Sequence, residues 1–171
     1  NEDALRVIRP PSASEVARRG VLAVVCDGMG GHEAGEIASH LAMETIVKRF
    51  EEDDRDPGTS LVRAVQAANR AVYDTAAGNT RLRGMGTTCT AAMVLPDRLF
   101  VAPVGDSRAY LLRDGRLQRW TRDQTMAEEL VDLGVMTRAD ASDSRLSHTL
   151  SSSIGGRQTD IPALRALLDD D

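Results

Sequence analysis

Aromatic side chains make up only 3% of the 171 residues, and cysteine occurs twice. Cys26 and Cys89 are too few for a disulfide scaffold or a cysteine-based zinc site. Both stand inside apolar or β-branched runs, where a thiol acts as a small buried hydrophobe. No apolar run approaches the ~20 residues of a membrane-spanning helix. Basic charge is also short: 21 Lys and Arg against 26 Asp and Glu give a net charge of −5. The basic residues are scattered, with no block interleaved with aromatics, which argues against nucleic acid or an anionic membrane surface as partner. No signal peptide is evident, and the start at Asn-Glu-Asp rather than Met leaves targeting signals ahead of it open. A reducing, cytoplasmic setting is expected.

What remains is a globular composition, 42% hydrophobic and 27% charged, enough for a single domain over residues 1–171 with a real core. Ala4 to Arg9 reads as a strand closed by Pro10-Pro11, and Val21 to Cys26 as a strand covered on both faces. Ala34, Ile37, Ala38, Leu41 and Thr45 or Ile46 recur at helical spacing, with Glu33 and Glu36 near the helix start. The break Glu51 to Gly58 precedes a second helix, with Thr59 or Ser60 as cap and Leu61, Val65, Ala68 and Val72 as its apolar stripe. Four strand-forming runs follow, Thr87 to Leu95, Leu99 to Val104, Arg108 to Leu112 and Leu117 to Trp120. Their connections are too short for crossover helices, so an antiparallel meander is expected. Met126 to Leu133 reads as a short helix, and residues 134–156 as a polar flap.

The stretch "VVCDGMGGH" (Val24 to His32) ends an apolar run on a bare carboxylate followed by glycines. A Walker loop needs Lys and Ser/Thr after its last glycine, and here His32 and Glu33 follow. The dinucleotide fingerprint fails at its sixth position, where Glu33 would face a pyrophosphate. A cysteine phosphatase needs an Arg six residues after its nucleophile, and that position is His32. A metal site fares better, because Mg²⁺ and Mn²⁺ prefer carboxylate, carbonyl and water ligands. Asp27 ends a strand, Gly28 lets the backbone turn its carbonyl to the same ion, Glu2-Asp3 opens the neighbouring strand, and Asp106 sits at a bend.

These motifs resemble a known family. "DGMGGHEAGEIAS" (Asp27 to Ser39), "MGTTCTAAMV" (Met85 to Val94), "VGDSRAYLLRDGRL" (Val104 to Leu117) and "TRDQT" (Thr121 to Thr125) stand in the order and spacing of the metal-dependent, type 2C (PPM) Ser/Thr protein phosphatases, the bacterial form above all. The resemblance implies an α+β fold, a sandwich of two antiparallel β-sheets flanked by α-helices, and hydrolysis of phosphoserine and phosphothreonine by a metal-activated water. It implies two Mn²⁺ or Mg²⁺ ions bridged by Asp27, with the Gly28 carbonyl on one and Asp3, with Glu2 beside it, holding their waters. Asp106 would help hold a third, weaker ion near the flap. Arg108, Thr87 and Thr88 are structural in this reading. The implied partners are phosphorylated proteins and, with them, a Ser/Thr kinase or its targets.

Departures from the pattern matter too. Met29 stands where some relatives carry a proton-donating His, so the leaving alkoxide takes its proton from water. His32 is expected to order the loop. Asp123-Gln124 stands where the family often has Asp-His, which leaves Asp123 a second-tier ligand, and His148 falls in the flap as a surface residue. The phosphate-binding Arg that precedes the first acidic motif is missing, and so are two later carboxylate motifs; the tail Asp169 to Asp171 reads as solvated acid. Two expectations follow: a fragment of an enzyme with open sheet edges, or a non-catalytic phosphatase-like module that binds partners through the retained surface. A nucleotide-binding domain ranks third.

Overall fold

In the computed structural model the described residues are 1–156 and, as backbone, 165–168. The acidic tail at Asp169 to Asp171 lies outside them. Strand β1 (Asp3–Ile8) is followed by helix α1 (Ala13–Arg19), β2 (Val21–Met29), and the long helices α2 (His32–Glu52) and α3 (Pro57–Gly78). After a 3₁₀ turn at Thr80–Leu82 come β3 (Gly86–Thr87), β4 (Cys89–Val94), β5 (Arg98–Val104), β6 (Tyr110–Arg113) and β7 (Arg116–Arg119). Helices α4 (Met126–Asp132) and α5 (Arg138–Asp143), a 3₁₀ turn at Arg145–His148 and β8 (Arg165–Leu168) complete the order. The fold is α+β with antiparallel sheets. One has six strands, ordered β1-β2-β4-β5-β8 with β3 also on β2, and the other is the β6–β7 hairpin.

One face of the large sheet carries the core. Leu22, Val24 and Cys26 of β2 and Cys89, Ala91 and Met93 of β4 point the same way and are buried under α2 and α3. The covering helices contribute Ala34, Ala38, Ala42 and Ile46 from α2, and Leu61, Ala64, Val65, Ala68 and Val72 from α3. Alanine at successive turns lets both helices lie close to the sheet and to each other. Each fully buried Leu, Ile or Val there is worth about 1.5–3 kcal/mol relative to exposure.

Several local expectations change. Strand β2 is not covered on both faces: Val25 is 47% exposed, because the helices lie on one side. The cap of α3 is Asp56, whose carboxylate accepts from the Thr59 amide at 3.1 Å, rather than Thr59 or Ser60; Pro57 starts the helix behind it. The meander divides at the Gly105 bend, so β4–β5 joins the large sheet while β6–β7 pairs separately. Helix α1, capped by Ser12, stands where the sequence offered no long apolar stripe. Residues 134–156 hold α5 and a 3₁₀ turn, and two bridges tie the segment down, Thr125 with Leu150 and Thr87 with Ile154. Ile154 is fully buried, and the Gly155 amide donates to Asn69 Oδ1 at 2.7 Å.

Candidate functional site

The antiparallel register of β1 on β2 sets Asp3 directly across from Asp27. Side chains alternate along a strand, so both carboxylates fall on the face opposite the helices, at its end. Asp27 lies between a paired and an irregular part of the ladder. Its carbonyl accepts from the Thr88 amide at 2.9 Å and from Thr87 Oγ1 at 2.9 Å, while its own amide donates to Thr88 Oγ1 at 3.1 Å. A hydroxyl has replaced the usual carbonyl partner, and the strand opposite is interrupted there, between β3 and β4.

Thr88 also carries the connection to Asp106. Its Oγ1 shares a 2.7 Å hydrogen bond with Ser107 Oγ, and Thr90 Oγ1 donates to the Ser107 carbonyl at 2.8 Å. Gly105 turns with φ +97°, and a Cβ there would meet Thr88 Cγ2 at 2.8 Å. Only glycine both adopts that backbone and lets the bend press against Thr88. Thr88 is thus shared: with Thr87 it fixes Asp27, and with Thr90 and Ser107 it fixes the bend presenting Asp106.

Glycine is equally constrained at the other side. A Cβ on Gly28 would fall 2.1 Å from the Gly35 carbonyl oxygen, and one on Gly35 would fall 2.1 Å from Glu2 Oε2. The Gly28 amide donates to the Glu2 carbonyl at 3.0 Å. Strand β2, the Glu2 segment and the first turn of α2 are therefore in backbone contact. The Glu2 carboxylate rests against that first turn, where the helix dipole favours an anion. Gly31, the N-cap of α2, offers no side chain for this purpose.

Electrostatics mark Asp27 as the centre of the cluster. Its carboxyl is held above the ordinary carboxylate value by partial burial first, then by the charge of Asp3 and a hydrogen bond with it, and by the charges of Asp106 and Glu2. Each of these causes acts in the same direction. Asp3, Asp27, Asp106 and Glu2 are thus brought together as a field source. Among the described residues no three acidic, histidine or cysteine side chains come close enough to cage an ion by themselves. Such a donor set fits a small hard cation that keeps several waters and takes only one or two carboxylates, as Mg²⁺ does, better than an all-protein cage.

The remaining candidates have other surroundings. Asp123 is gripped by Arg108, at 3.1 Å and 2.7 Å, and by Arg119, so guanidinium groups already compensate its charge. The Asp123 hydrogen bond first, then one with Tyr110 and the Asp123 charge, raise the Arg108 guanidinium further above its already high value. His148 closes the 3₁₀ turn Arg145–His148 and is exposed. His32 is the first residue of α2, with its side chain outside the described residues. Met29 pairs with Gly86 beyond the Asp27 position. Sequence reasoning overlooked Gln124, whose amide holds the Gly105 bend, and Gly35, whose missing side chain makes room for Glu2. The signal for Gly35 was a glycine inside an otherwise helical pattern, which usually has a packing reason.

The geometry can be set beside known proteins. The family profile described as Protein phosphatase 2C matches residues 1–152. The Serine/threonine protein phosphatase PstP of Mycobacterium tuberculosis is 40% identical over 139 residues, covering 79% of this chain and 26% of that protein. The Serine/threonine phosphatase stp of Listeria monocytogenes is 32% identical over 139 residues, covering 78% of this chain and 55% of the relative. The chain therefore spans from about a quarter to just over half of these relatives. Among solved structures, Stp1 from Staphylococcus aureus superposes with a TM-score of 0.84 at 30% identity, over 99% of this chain and 66% of that one. The catalytic domain of PstP in complex with 2 manganese ions gives 0.72 at 33% identity, over 97% and 71%.

Proposed function

Because the chain belongs to the protein phosphatase 2C family, we propose that it is the metal-binding part of a phosphoserine/phosphothreonine protein phosphatase, read as a single domain. The observation that carries this reading is the uncompensated field at Asp27, built by Asp3, Asp106 and Glu2 around a carboxylate in a fixed strand register. Carboxylates grouped this way repel one another and would repel a phosphate dianion. Two unit charges ~4 Å apart interact by ~4 kcal/mol even at an effective dielectric near 20. A site that tolerates this arrangement is built for divalent cations.

In this reading Asp27 would hold two ions, Mn²⁺ or Mg²⁺, with the Gly28 carbonyl as a further ligand and Asp3 holding their waters. Asp106 serves a third, and Glu2 orients the waters. When bound, such ions supply positive charge to phosphoryl oxygens and acidify water so that hydroxide is available near neutral pH. The protein's own part is to fix the carboxylates: Thr87 and Thr88 lock the backbone of Asp27, and Ser107 and Thr88 lock the bend of Asp106. No side chain is needed as nucleophile. Cys26, next to Asp27 in sequence, points into the core and is fully buried. Met29 cannot donate a proton, so the leaving alkoxide is protonated by solvent. Relatives named as serine/threonine phosphatases support phosphoproteins as substrates, and a Ser/Thr kinase acting on the same targets is the natural counterpart. A cytoplasmic setting completes the proposal, in keeping with Cys26 and Cys89 as free thiols.

The test is hydrolysis of a phosphothreonine peptide by the 171-residue chain with Mn²⁺ titrated. Turnover that requires Mn²⁺ and is lost in Asp27→Asn is the expected result. Metal-independent turnover, or turnover that survives the substitution, overturns it.

A further inference from the structure

Gln124 makes an unusual set of contacts for a residue that resembles neither a ligand nor a core side chain. Its Oε1 accepts from the Gly105 amide at 2.8 Å, and its Nε2 donates to the Pro103 carbonyl at 3.1 Å. Its own amide donates to the Gly105 carbonyl at 3.0 Å, and its carbonyl accepts from the Ser151 amide at 2.9 Å. Strand β5 ends at Val104, so Pro103 and Gly105 flank the point where the chain leaves the sheet. The Gln124 side chain thus takes the place of a neighbouring strand over the last residues before Asp106. Only a group with one donor and one acceptor side by side can serve both partners.

We propose that Gln124 is a positioning residue: its amide sets the Gly105–Asp106 bend and thereby the cation affinity of the Asp106 carboxylate. The inference rests on the metal-site reading above. The bend is held from two sides. Thr88 and Ser107 hold it toward Asp27, and Gln124 holds it toward α4 and the returning segment at Ser151. Gly105 at φ +97° has no side chain of its own to resist rotation, so losing the Gln124 side chain leaves this side of the bend held only by the Gln124 backbone amide on the Gly105 carbonyl and loosens Asp106 relative to Asp27. The contact to Ser151 runs through the Gln124 backbone and survives any side-chain change. A neutral imidazole also presents one donor and one acceptor nitrogen, so histidine can satisfy the same two partners. A thioether cannot.

The experiment compares the parent chain with Gln124→Met, Gln124→His and Asp27→Asn, measuring Mn²⁺ binding by calorimetry and exchange of the Gly105 amide without metal. Gln124→Met is expected to weaken the loosest class of Mn²⁺ sites about tenfold, as loss of an outer-shell partner does, and to speed Gly105 exchange. Gln124→His is expected to restore both. If Gln124→Met does not fold, Gln124→Asn, whose amide is one methylene short, replaces it with the same expectation. A lower melting temperature with unchanged Mn²⁺ binding would make Gln124 merely structural and overturn the inference. Mn²⁺ binding that Asp27→Asn leaves intact would overturn the metal-site reading and this inference with it. Binding lost in Asp27→Asn but unchanged in Gln124→Met would overturn this inference alone.

Discussion

At the scale of single residues, Asp27 is destabilising by design. Its pKa is raised in the fold, so the native state holds that proton more tightly than the unfolded chain does. Ionised Asp27 therefore costs native stability above the ordinary carboxylate range, and the cost vanishes below it. In chelator at neutral pH, Asp27→Asn should melt no lower than the parent, by a margin that solvent screening of the exposed carboxylate keeps small, and any gap should close as the pH falls through the ordinary carboxylate range. Adding Mn²⁺ should reverse the order, since an ion at a hundred times its dissociation constant stabilises the parent by about 2.7 kcal/mol. Thermal melts with and without Mn²⁺ check this, and a parent more stable than the variant in chelator would refute it. Gly28 makes the opposite kind of prediction. Its missing Cβ faces the Gly35 carbonyl at 2.1 Å, which cannot rotate away, so Gly28→Ala should cost about 3 kcal/mol in urea unfolding. That Asp3 and Asp106 come near Asp27 was legible because acids at strand ends and bends can converge. Gln124 and Gly35 were not, because their roles depend on backbone groups far away in sequence.

Elements were legible to the degree that they are amphipathic. The stripe Leu61, Val65, Ala68 and Val72 marked α3, and all four are buried. Its start was misplaced by three or four residues because Asp56 lay inside an acidic run that looked like a linker, whereas its carboxylate serves the Thr59 amide. Asp56→Ala should cost about 1 kcal/mol, the usual value of an N-cap, readable as a shift in the denaturation midpoint. A change within about 0.3 kcal/mol would show that Pro57 alone sets the helix start. Helix α1 was invisible for the opposite reason: none of its residues is buried, so no apolar period announces it. It is held instead by Ser12 and by Arg19, which donates to the carbonyls of Phe50 and Glu51 at the end of α2. The split of the meander escaped notice because short connections predict antiparallel neighbours, yet Gly105 and Gln124 turn the chain out of the sheet between β5 and β6.

For the whole molecule, the decisive feature is an asymmetric sheet. One face is sealed by α2 and α3, while the other presents Leu5, Val7, Val25 and Val94, at 69%, 62%, 47% and 52% exposure. The register places Leu5 opposite Val25 and Asp3 opposite Asp27, so these apolar residues and the acid pair share one surface. The site therefore sits at the rim of this exposed apolar face. Exposed contiguous apolar surface of this kind binds solvatochromic dyes in the native state. The folded chain should bind such a dye with or without Mn²⁺, since the ions sit at the rim and leave the apolar centre open. Replacing Leu5 and Val25 together by Thr keeps strand propensity and should alter stability by less than about 1 kcal/mol. The same pair of changes should remove much of the dye signal while leaving the Mn²⁺ requirement of peptide hydrolysis within about threefold. Fluorescence titration and kinetics on the double variant decide the point. Dye binding that persists would place the exposed surface elsewhere, on the hairpin or near Leu133 and Val135, and would separate the site from the sheet face.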